Sequence, residues 1–244
     1  MRILTCVKRV PAPGAKIVVT ADGRDLETEM LGFTVSPHEE CAAEEAIQQI
    51  EKHGGSSMVM TLGPAEAEEQ LRTAISVGIN EAVLLTTDGS DWDPMATARA
   101  LSAAIREIEE ADGPFDLIFF GNESADSGGY QVGVRVARAL DRPMVTGIKG
   151  VDIADGVVTA RRDTATGAEV YELPLPAVLG IKEGINLPRY PTLKGRLGAK
   201  KVEVNVMEAV AEAGGQSMVS LVAPPSQDTP RKINGTVADP EPPV

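Results

Sequence analysis

A loop of glycine, serine and aspartate follows a continuous apolar run in the middle of the sequence. The run is Phe115 to Phe120, and residues 121–129 after it read Gly-Asn-Glu-Ser-Ala-Asp-Ser-Gly-Gly. Glycine lets a backbone approach a ligand closely, serine hydroxyls donate hydrogen bonds, and the positive end of a following helix favours an anion. With a helix expected from about Tyr130 to Leu140, the loop is a candidate phosphate-binding segment.

The spacing within this loop matches neither of two common nucleotide-binding fingerprints. The sequence contains no G-x-x-x-x-G-K-[ST] and no G-x-G-x-x-G. A plain surface loop is therefore the alternative to a nucleotide site. Asp126 also has two interpretations, because its carboxylate could accept a hydrogen bond from a ribose hydroxyl or cap the helix that follows.

Other reactive side chains do not form a catalytic or metal-binding set. The only histidines, His38 and His53, fall at the ends of a predicted helix, where capping or solvation is commoner than catalysis. Cys6 and Cys41 are far apart and outside any C-x-x-C, which indicates neither a disulfide framework nor a zinc site, and Cys6 is expected to fill core space. The sequence predicts no bond-breaking site and no metal site, and a reducing compartment is the default.

A second unusual feature is residues 182–201, which we call the basic segment. It carries six lysine and arginine residues against one glutamate, in a chain of net charge −13. Pro188 and Pro191 restrict the backbone, so Leu187 to Pro191 should be extended and stiff. An exposed Leu193 beside them would suit an apolar anchor for a protein partner. The alternative is a solvated basic loop that ends in a surface helix.

The order of predicted elements explains how these residues are positioned. Apolar strands alternate with helices to about residue 140, and continuously apolar strands belong to a parallel sheet with both faces covered. The predicted fold class is α/β, a doubly wound parallel sheet of the Rossmann-like, adenine-nucleotide-binding type. Ligands of such sheets lie outside the carboxyl ends of the strands, at a topological switch point. Those ends supply Cys6, Leu62 and the 121–129 loop, near a helix that starts at Ser36-Pro37-His38-Glu39 with a capping box.

After Pro143 the pattern changes to alternating residues separated by turns. Asp155-Gly156 and Thr166-Gly167 each separate two runs of alternating residues, and this pattern predicts antiparallel hairpins. The apolar run from Leu175 to Ile181 then predicts a buried strand that leads into the basic segment. The C-terminal residues are rich in glycine, serine and proline, which favours an extended arm.

Composition excludes several classes of function. With 3% aromatic residues and a net charge of −13, the chain lacks the basic, stacking surface typical of nucleic-acid binding. No apolar run approaches the roughly 20 residues that span a bilayer, and the N-terminus lacks the parts of a signal peptide. We expect a globular, cytoplasmic protein whose 43% apolar residues supply a substantial core.

A series of short motifs resembles the β subunit of electron transfer flavoproteins. The motifs occur in order over about 190 residues and reach to about residue 205, and such an ordered set is hard to obtain by chance. They are Val7-Lys8-Arg9-Val10, Glu44-Glu45-Ala46, Gly63-Pro64-Ala65, Leu71-Arg72-Thr73-Ala74, Gly78, Gly121 with Asp126 and Gln131-Val132-Gly133, Arg162 with Gly167 and Glu169, Leu175-Pro176-Ala177-Val178, and Asn186 with Pro188-Arg189-Tyr190 and Leu193.

The resemblance implies a heterodimer in which a larger α subunit carries the redox-active FAD in a mobile domain. This chain would be an electron-carrier subunit and not itself an enzyme. It would support the FAD domain, bind AMP in its own site and present a recognition loop to a flavin-containing dehydrogenase. The electrons would then pass to a further acceptor.

The resemblance also assigns roles by position. Glu169 is expected to face the flavin domain. The recognition loop would run from Asn186 to Lys194 and would include Leu187, Pro188, Arg189 and Tyr190, with Leu193 as its anchor. The AMP site would take Cys6, Ser36, Pro37, His38, Glu39, Leu62, Gly121, Asn122, Glu123, Ser124, Ala125, Asp126, Ser127, Gly128, Gly129, Tyr130, Gln131 and Val132.

Departures from the family pattern leave alternatives. Electron-bifurcating relatives hold a second FAD in place of AMP, and the sequence from Asp126 lacks the Asp-Gly-Asp-Thr pattern associated with that flavin, which favours AMP. Leu187 stands where glutamate is usual, which adds apolar surface and suggests a particular partner. A stand-alone nucleotide-binding enzyme or sensor is a further alternative, although the loop offers no nucleophile or hydrolytic base.

The expected domain organisation follows from both lines of reasoning. Residues 1–205 should form the nucleotide-binding α/β domain, with a hairpin extension at about 150–175 and the recognition loop at about 183–197. Residues 206–244 should form an arm that contacts the α subunit, because the chain ends in proline-rich sequence where the family usually has a further helix.

Overall fold

The computed structural model describes residues 1–90, 92–210 and 214–223. Helices and strands alternate through most of this chain. The helices are α1 (Pro37–His53), α2 (Glu68–Val77), α3 (Pro94–Asp112), α4 (Gln131–Ala139) and α5 (Leu193–Ala199). The strands are β1 (Arg2–Val7), β2 (Val10–Pro11), β3 (Phe33–Thr34), β4 (Ser56–Gly63), β5 (Glu81–Thr86), β6 (Leu117–Gly121), β7 (Met144–Ala154), β8 (Val157–Thr164), β9 (Gly167–Pro174), β10 (Ala177–Ile181) and β11 (Val204–Glu208).

One nine-stranded sheet organises the described chain, in the order β11-β5-β4-β1-β6-β10-β7-β8-β9. The strands from β11 to β7 in this order are parallel to their neighbours, and β7, β8 and β9 are joined by antiparallel pairing. β1 lies between β4 and β6, with Cys6 opposite Met60 on one side and Phe120 on the other. The predicted doubly wound α/β sheet with an antiparallel extension is confirmed.

The strands are continuously apolar because helices cover both faces of the sheet. Ile3 packs in a core with residues of α1 and α2, whereas Leu4, the next residue, packs in a second core with residues of α3 and α4. Both side chains are fully buried. Since successive side chains of a strand point to opposite faces, each strand must be apolar at every position to fill both cores.

Local sequence signals set the helix ends. Ser36 caps α1, with Pro37 in the first turn, and Gly54 ends that helix at φ 75°. The Asp93 carboxylate accepts a hydrogen bond from the Ala96 N–H at 2.7 Å and caps α3. After Gly63 and Pro64 the chain forms one turn of 3-10 helix (Ala65–Ala67), and α2 follows directly.

The predicted hairpins extend the parallel sheet. Asp155 and Gly156 turn β7 into β8 with φ values of 51° and 75°, the positive pair that a two-residue hairpin turn requires. Gly167 follows the next turn, and β8 pairs with β9 along its length. β7 also pairs in parallel with β10, so the hairpins belong to the main sheet.

The sheet continues past residue 205, because β11 (Val204–Glu208) pairs in parallel with β5. Most of the predicted arm, residues 211–213 and 224–244, lies outside the described residues. In the described part of the chain, no helix combines the length and apolar character that crossing a bilayer requires.

Glu39 is a buried carboxylate at the start of α1. It is 6% exposed, and its two oxygens accept hydrogen bonds from the Ser36 N–H at 2.9 Å and from the Lys8 N–H at 2.8 Å. Burial raises the pKa of Glu39 from 4.5 to about 7, although the hydrogen bonds from Ser36 and Lys8 oppose the shift. The capping box therefore joins α1 to the end of β1 through a group that titrates near neutrality.

The raised pKa predicts a pH-dependent stability. Between pH 4.5 and 7 the native state holds a proton on Glu39 that the unfolded chain has released, so the contribution of Glu39 falls as the pH rises through this window. We expect Glu39→Gln to remove this fall, which is on the order of 3 kcal/mol at about 1.4 kcal/mol per pKa unit. Urea unfolding at several pH values measures it. The matched control is Glu110→Gln, which removes an exposed carboxylate. Parallel pH profiles for wild type and Glu39→Gln would contradict the assignment.

Candidate functional site

The strand order reverses at β1, so a ligand crevice is expected at the carboxyl ends of β1 and β6. From β1 the chain moves through β4 to β5 on one side, and it then crosses to β6 on the other side of β1. Loops that leave two neighbouring parallel strands in opposite directions leave room for a ligand between them. We call this place, lined by Lys8 and the 121–129 loop, the switch-point crevice.

A salt bridge joins the two loops of the crevice. The Lys8 ammonium lies 2.6 Å from an Asp126 carboxylate oxygen, and the other Asp126 oxygen accepts a hydrogen bond from the Ser127 N–H at 2.7 Å. Partial burial tends to raise the pKa of Asp126, but the hydrogen bond and charge of Lys8 outweigh it and hold this pKa below its usual value. Asp126 is thus an ionised anchor of the loop.

The 121–129 loop is held by hydrogen bonds among its own residues. The Gly128 N–H donates to the Ser124 carbonyl at 2.8 Å, and the Ser124 N–H donates to the Gly129 carbonyl at 3.1 Å. The hydroxyls of Ser124 and Ser127 lie 2.7 Å apart, and Gly128 has φ 61°. The serines and glycines therefore give the loop a defined shape with two adjacent hydroxyls.

Helix α4 begins directly after this loop, and its first N–H groups have no side-chain cap among the described residues. Its N-cap is Tyr130, so the interpretation of Asp126 as the capping residue is wrong: that carboxylate is taken by Lys8. The first N–H groups of a helix lack partners within the helix and carry its positive dipole end. Gln131 and Val132 supply such groups directly after the 121–129 loop, an arrangement suited to an anion.

The next candidate residues lie at the carboxyl ends of β1, β4 and β6. Gly121 touches the start of α1 so closely that an added Cβ would lie 2.8 Å from Glu39 Cγ, so only glycine lets β6 end there. Cys6 is buried, and burial followed by the charge of Glu39 raises the pKa of its thiol, which keeps it neutral. Leu62 is half-buried on β4.

His38 is braced by loop residues. Its Nδ1 accepts a hydrogen bond from the Glu183 N–H at 2.9 Å, and its Nε2 lies 3.6 Å from a Glu123 carboxylate oxygen. The Asn122 N–H donates to the Ile181 carbonyl at 2.8 Å, and Ala125 is exposed. Within residues 1–90, 92–210 and 214–223, no three His, Cys, Asp or Glu side chains meet as a metal site would require.

The middle of the basic segment presents apolar side chains to solvent. Leu187, Tyr190 and Leu193 are 87%, 92% and 76% exposed. Leu193 is the first residue of α5, which Thr192 caps by accepting a hydrogen bond from the Gly195 N–H. Pro188 is half-buried, and Lys194 is exposed beside Leu193. The predicted extended stretch therefore leads into a short exposed helix.

Arg189 turns inward, in contrast to its neighbours. Its guanidinium binds the carboxylates of Glu44 and Glu51 on α1, with the shortest bonds at 2.8 Å to Glu44 and 2.7 Å to Glu51. The resemblance places Arg189 in the recognition loop, and in this structure its guanidinium pairs within the chain.

Glu169 lies on β9 in a cluster of polar side chains. One of its oxygens accepts hydrogen bonds from Arg162 Nε and from the Tyr171 hydroxyl, each at 2.8 Å. Arg162 also donates to the Thr146 carbonyl at 3.3 Å. The hydrogen bonds from Tyr171 and Arg162 hold the pKa of Glu169 below its usual value, so Glu169 is an ionised, oriented carboxylate.

Three residues of these sites were not assigned a role from the sequence. Lys8 anchors Asp126, Glu44 anchors Arg189, and Arg72 donates to backbone carbonyls after α5. All three stand in the short motifs that carry the family resemblance, which was the one signal available. Motif membership does not identify a partner 118 to 145 residues away.

Comparisons with known proteins agree on one family. The family model described as "Electron transfer flavoprotein domain" matches residues 23–212. "Electron transfer flavoprotein subunit beta" of Thermoanaerobacterium thermosaccharolyticum is 35% identical over 86% of this chain and 79% of its own length. The proteins of the same name from Mycobacterium bovis (37% identical, over 88% of this chain and 81% of that protein) and Bacillus subtilis (34%, 85% and 79%) are similar as well. The chain therefore belongs to the beta-subunit family of electron transfer flavoproteins.

Proposed function

We propose that this chain is the β subunit of a heterodimeric electron transfer flavoprotein that binds AMP in the switch-point crevice. The supporting observation is the uncapped start of α4 behind a glycine and serine loop, at the sheet's switch point. The name shared by the relatives, subunit beta, implies an α subunit as partner.

The donors of the crevice suit the phosphate of AMP. These donors are the N–H groups of Gln131 and Val132 at the uncapped start of α4 and the adjacent hydroxyls of Ser124 and Ser127 in the loop directly before it. Lys8 adds hydrogen-bond donors, because an ammonium has three donors and Asp126 occupies one of them. The base and ribose extend toward Cys6, Leu62 and residues 36–39, where the walls are partly apolar.

The redox chemistry of the complex belongs to the FAD of the α subunit. This chain supports the domain that carries FAD and sets its distance from the electron donor. Glu169 faces that domain, and Arg162 and Tyr171 orient its carboxylate through the hydrogen bonds described above.

The basic segment docks a flavin-containing dehydrogenase. Leu187, Tyr190 and Leu193 form an exposed apolar set in a segment rich in lysine and arginine, on a chain that is acidic overall. Exposed apolar groups inside a charged rim are typical of protein docking sites. Leu193 is the central anchor, and Leu187 contributes to the choice of partner.

The nucleotide site is tested with Gly129→Val. Gly129 does not have positive φ, and an added Cβ would make ordinary contacts, 3.5 Å from Ser124 Oγ and 3.6 Å from Ser127 Oγ. The chain should fold, but the new side chain would occupy the space in front of both hydroxyls. We expect AMP affinity, measured by calorimetry on nucleotide-free heterodimer, to fall about tenfold or more, each factor of ten being about 1.4 kcal/mol. Gly198→Val, on α5, is the control, and equal affinities in all three proteins would refute the site.

Docking is tested with Leu193→Ala. Removal of an apolar anchor from the centre of an interface costs on the order of 2 kcal/mol, so we expect kcat/KM for reduction of the heterodimer by its dehydrogenase to fall by roughly tenfold to thirtyfold. Flavin content and binding of the α subunit should not change. Val134→Ala removes an apolar side chain that is 50% exposed on the other face of the sheet, and this variant should behave like wild type. Unchanged kinetics in Leu193→Ala would defeat the anchor assignment.

A further inference from the structure

The stretch from Arg189 to Val202, which includes α5, is fixed to the sheet domain at both of its ends, and each end is held by an arginine. Arg189 binds α1 before the exposed helix α5, and Arg72 of α2 binds the backbone after it. Leu193 lies between these two attachments. Its position relative to the rest of the molecule therefore depends on both contacts.

At the first end, one guanidinium binds two carboxylates. Arg189 Nε and Nη2 donate to the two oxygens of Glu44 at 2.8 and 3.0 Å, and Nη1 and Nη2 donate to the two oxygens of Glu51 at 2.7 and 3.0 Å. The Arg189 backbone N–H also donates to Glu44 at 3.2 Å. All three guanidinium nitrogens are thus engaged by α1, in the paired geometry that only arginine provides.

Burial of Glu44 makes this contact necessary. The Glu44 side chain is 5% exposed. Burial alone would raise the pKa of Glu44, but hydrogen bonds from Arg189 and Gln48 and the charge of Arg189 lower it, so the carboxylate is ionised. An ionised carboxylate that is buried without a cation is unfavourable. Glu44 and Arg189 therefore hold each other in place.

Asn186 adds a second attachment to the same helix. Its side-chain N–H2 donates to the Cys41 carbonyl at 3.0 Å and to a Glu45 carboxylate oxygen at 3.1 Å. Glu45 is also buried and accepts a hydrogen bond from Gln49 at 2.7 Å. The consecutive acids Glu44 and Glu45 thus each bind one residue of the basic segment.

At the second end, Arg72 closes the C-terminus of α5. Its Nη1 donates to the carbonyls of Ala199 and Val202, each at 2.5 Å. Glu68, one turn earlier on α2, orients the guanidinium by accepting from its Nε at 2.9 Å. A cation at the C-terminal end of a helix satisfies free carbonyls and complements the helix dipole.

Close packing fixes the rotation of α5 between these contacts. An added Cβ at Gly195 would lie 2.2 Å from the Ser76 carbonyl oxygen, so the backbone of α5 rests on the last turn of α2. Ala199 is buried on the same side. Leu193 and Leu197, one turn apart, are left 76% and 54% exposed on the outer side.

We propose that Arg189 and Arg72 are positioning residues that hold Leu193 and α5 in the geometry required for docking, and that neither contacts the dehydrogenase. This inference rests on the proposed docking function of the basic segment. It gives Glu44, Glu45 and Arg72 a shared role, since all of them act on the segment that carries Leu193.

The test replaces each arginine with lysine in the heterodimer. Arg189→Lys and Arg72→Lys keep the charge but lose the paired hydrogen bonds, so a docking charge would tolerate them and a positioning contact would not. Hydrogen exchange of residues 186–202 is measured in each heterodimer. Steady-state kinetics are measured with each heterodimer, wild type or variant, as the varied substrate of a flavin-containing dehydrogenase that is selected because it reduces the wild-type heterodimer. We expect exchange in this segment to rise, and KM to increase roughly tenfold while kcat stays within about twofold, as for a loss of docking alone. Arg138→Lys, which alters an exposed ion pair on α4, is the control.

The outcomes distinguish the positioning role of the arginines from the docking function on which that role depends. If Leu193→Ala slows reduction while Arg189→Lys and Arg72→Lys match wild type in exchange or in KM, the positioning role is wrong and docking stands. If Leu193→Ala itself has no effect, the docking function fails and the positioning role fails with it. The double variant tests whether Arg189 acts through Leu193. If Arg189→Lys raises KM in the wild-type background but not in the Leu193→Ala background, Arg189 acts through Leu193.

Discussion

The position of β1 in the middle of a parallel sheet determines where everything else lies. Crossovers between parallel strands are right-handed, so a chain that winds first to one side of β1 and then to the other places its helices on opposite faces. α1 and α2 cover one face, and α3 and α4 cover the other. The loops after β1 and β6 must then separate, and the switch-point crevice follows from that divergence, with Lys8 and Asp126 joining its two walls.

Helix α1 connects the crevice to the basic segment. Its first turn closes on the crevice, where Glu39 binds the Lys8 backbone and packs against Gly121. Its later turns bind the basic segment through Glu44 and Glu51. One rigid helix of 17 residues thus supports both proposed functions. This explains why so many of its polar side chains are buried, since they bind neighbouring segments rather than water.

Features with local causes could be predicted from the sequence, and features with distant causes could not. The bounds of α1 follow from Ser36, Pro37 and Gly54, and the first hairpin follows from Asp155-Gly156, because caps and turns depend on a few adjacent residues. The candidate site could be located by type and place, as a serine and glycine loop at a strand end. The partner of Asp126 could not be predicted, because Lys8 is 118 residues away in the sequence and capping of the next helix was a plausible alternative role for Asp126. Arg189 is similar, since an arginine in an exposed basic segment gives no sign that a buried glutamate lies beneath it.

The account makes this chain a nucleotide-binding support for a flavin on another subunit, and the small-molecule content of the purified complex tests that most directly. The chain is produced with its α subunit, the complex is denatured, and the released nucleotides are identified by mass and counted per heterodimer. The account predicts one AMP and one FAD. Two FAD molecules with no AMP would place a second flavin in the crevice, and a chain that never yields a flavin-containing complex would contradict the account as a whole.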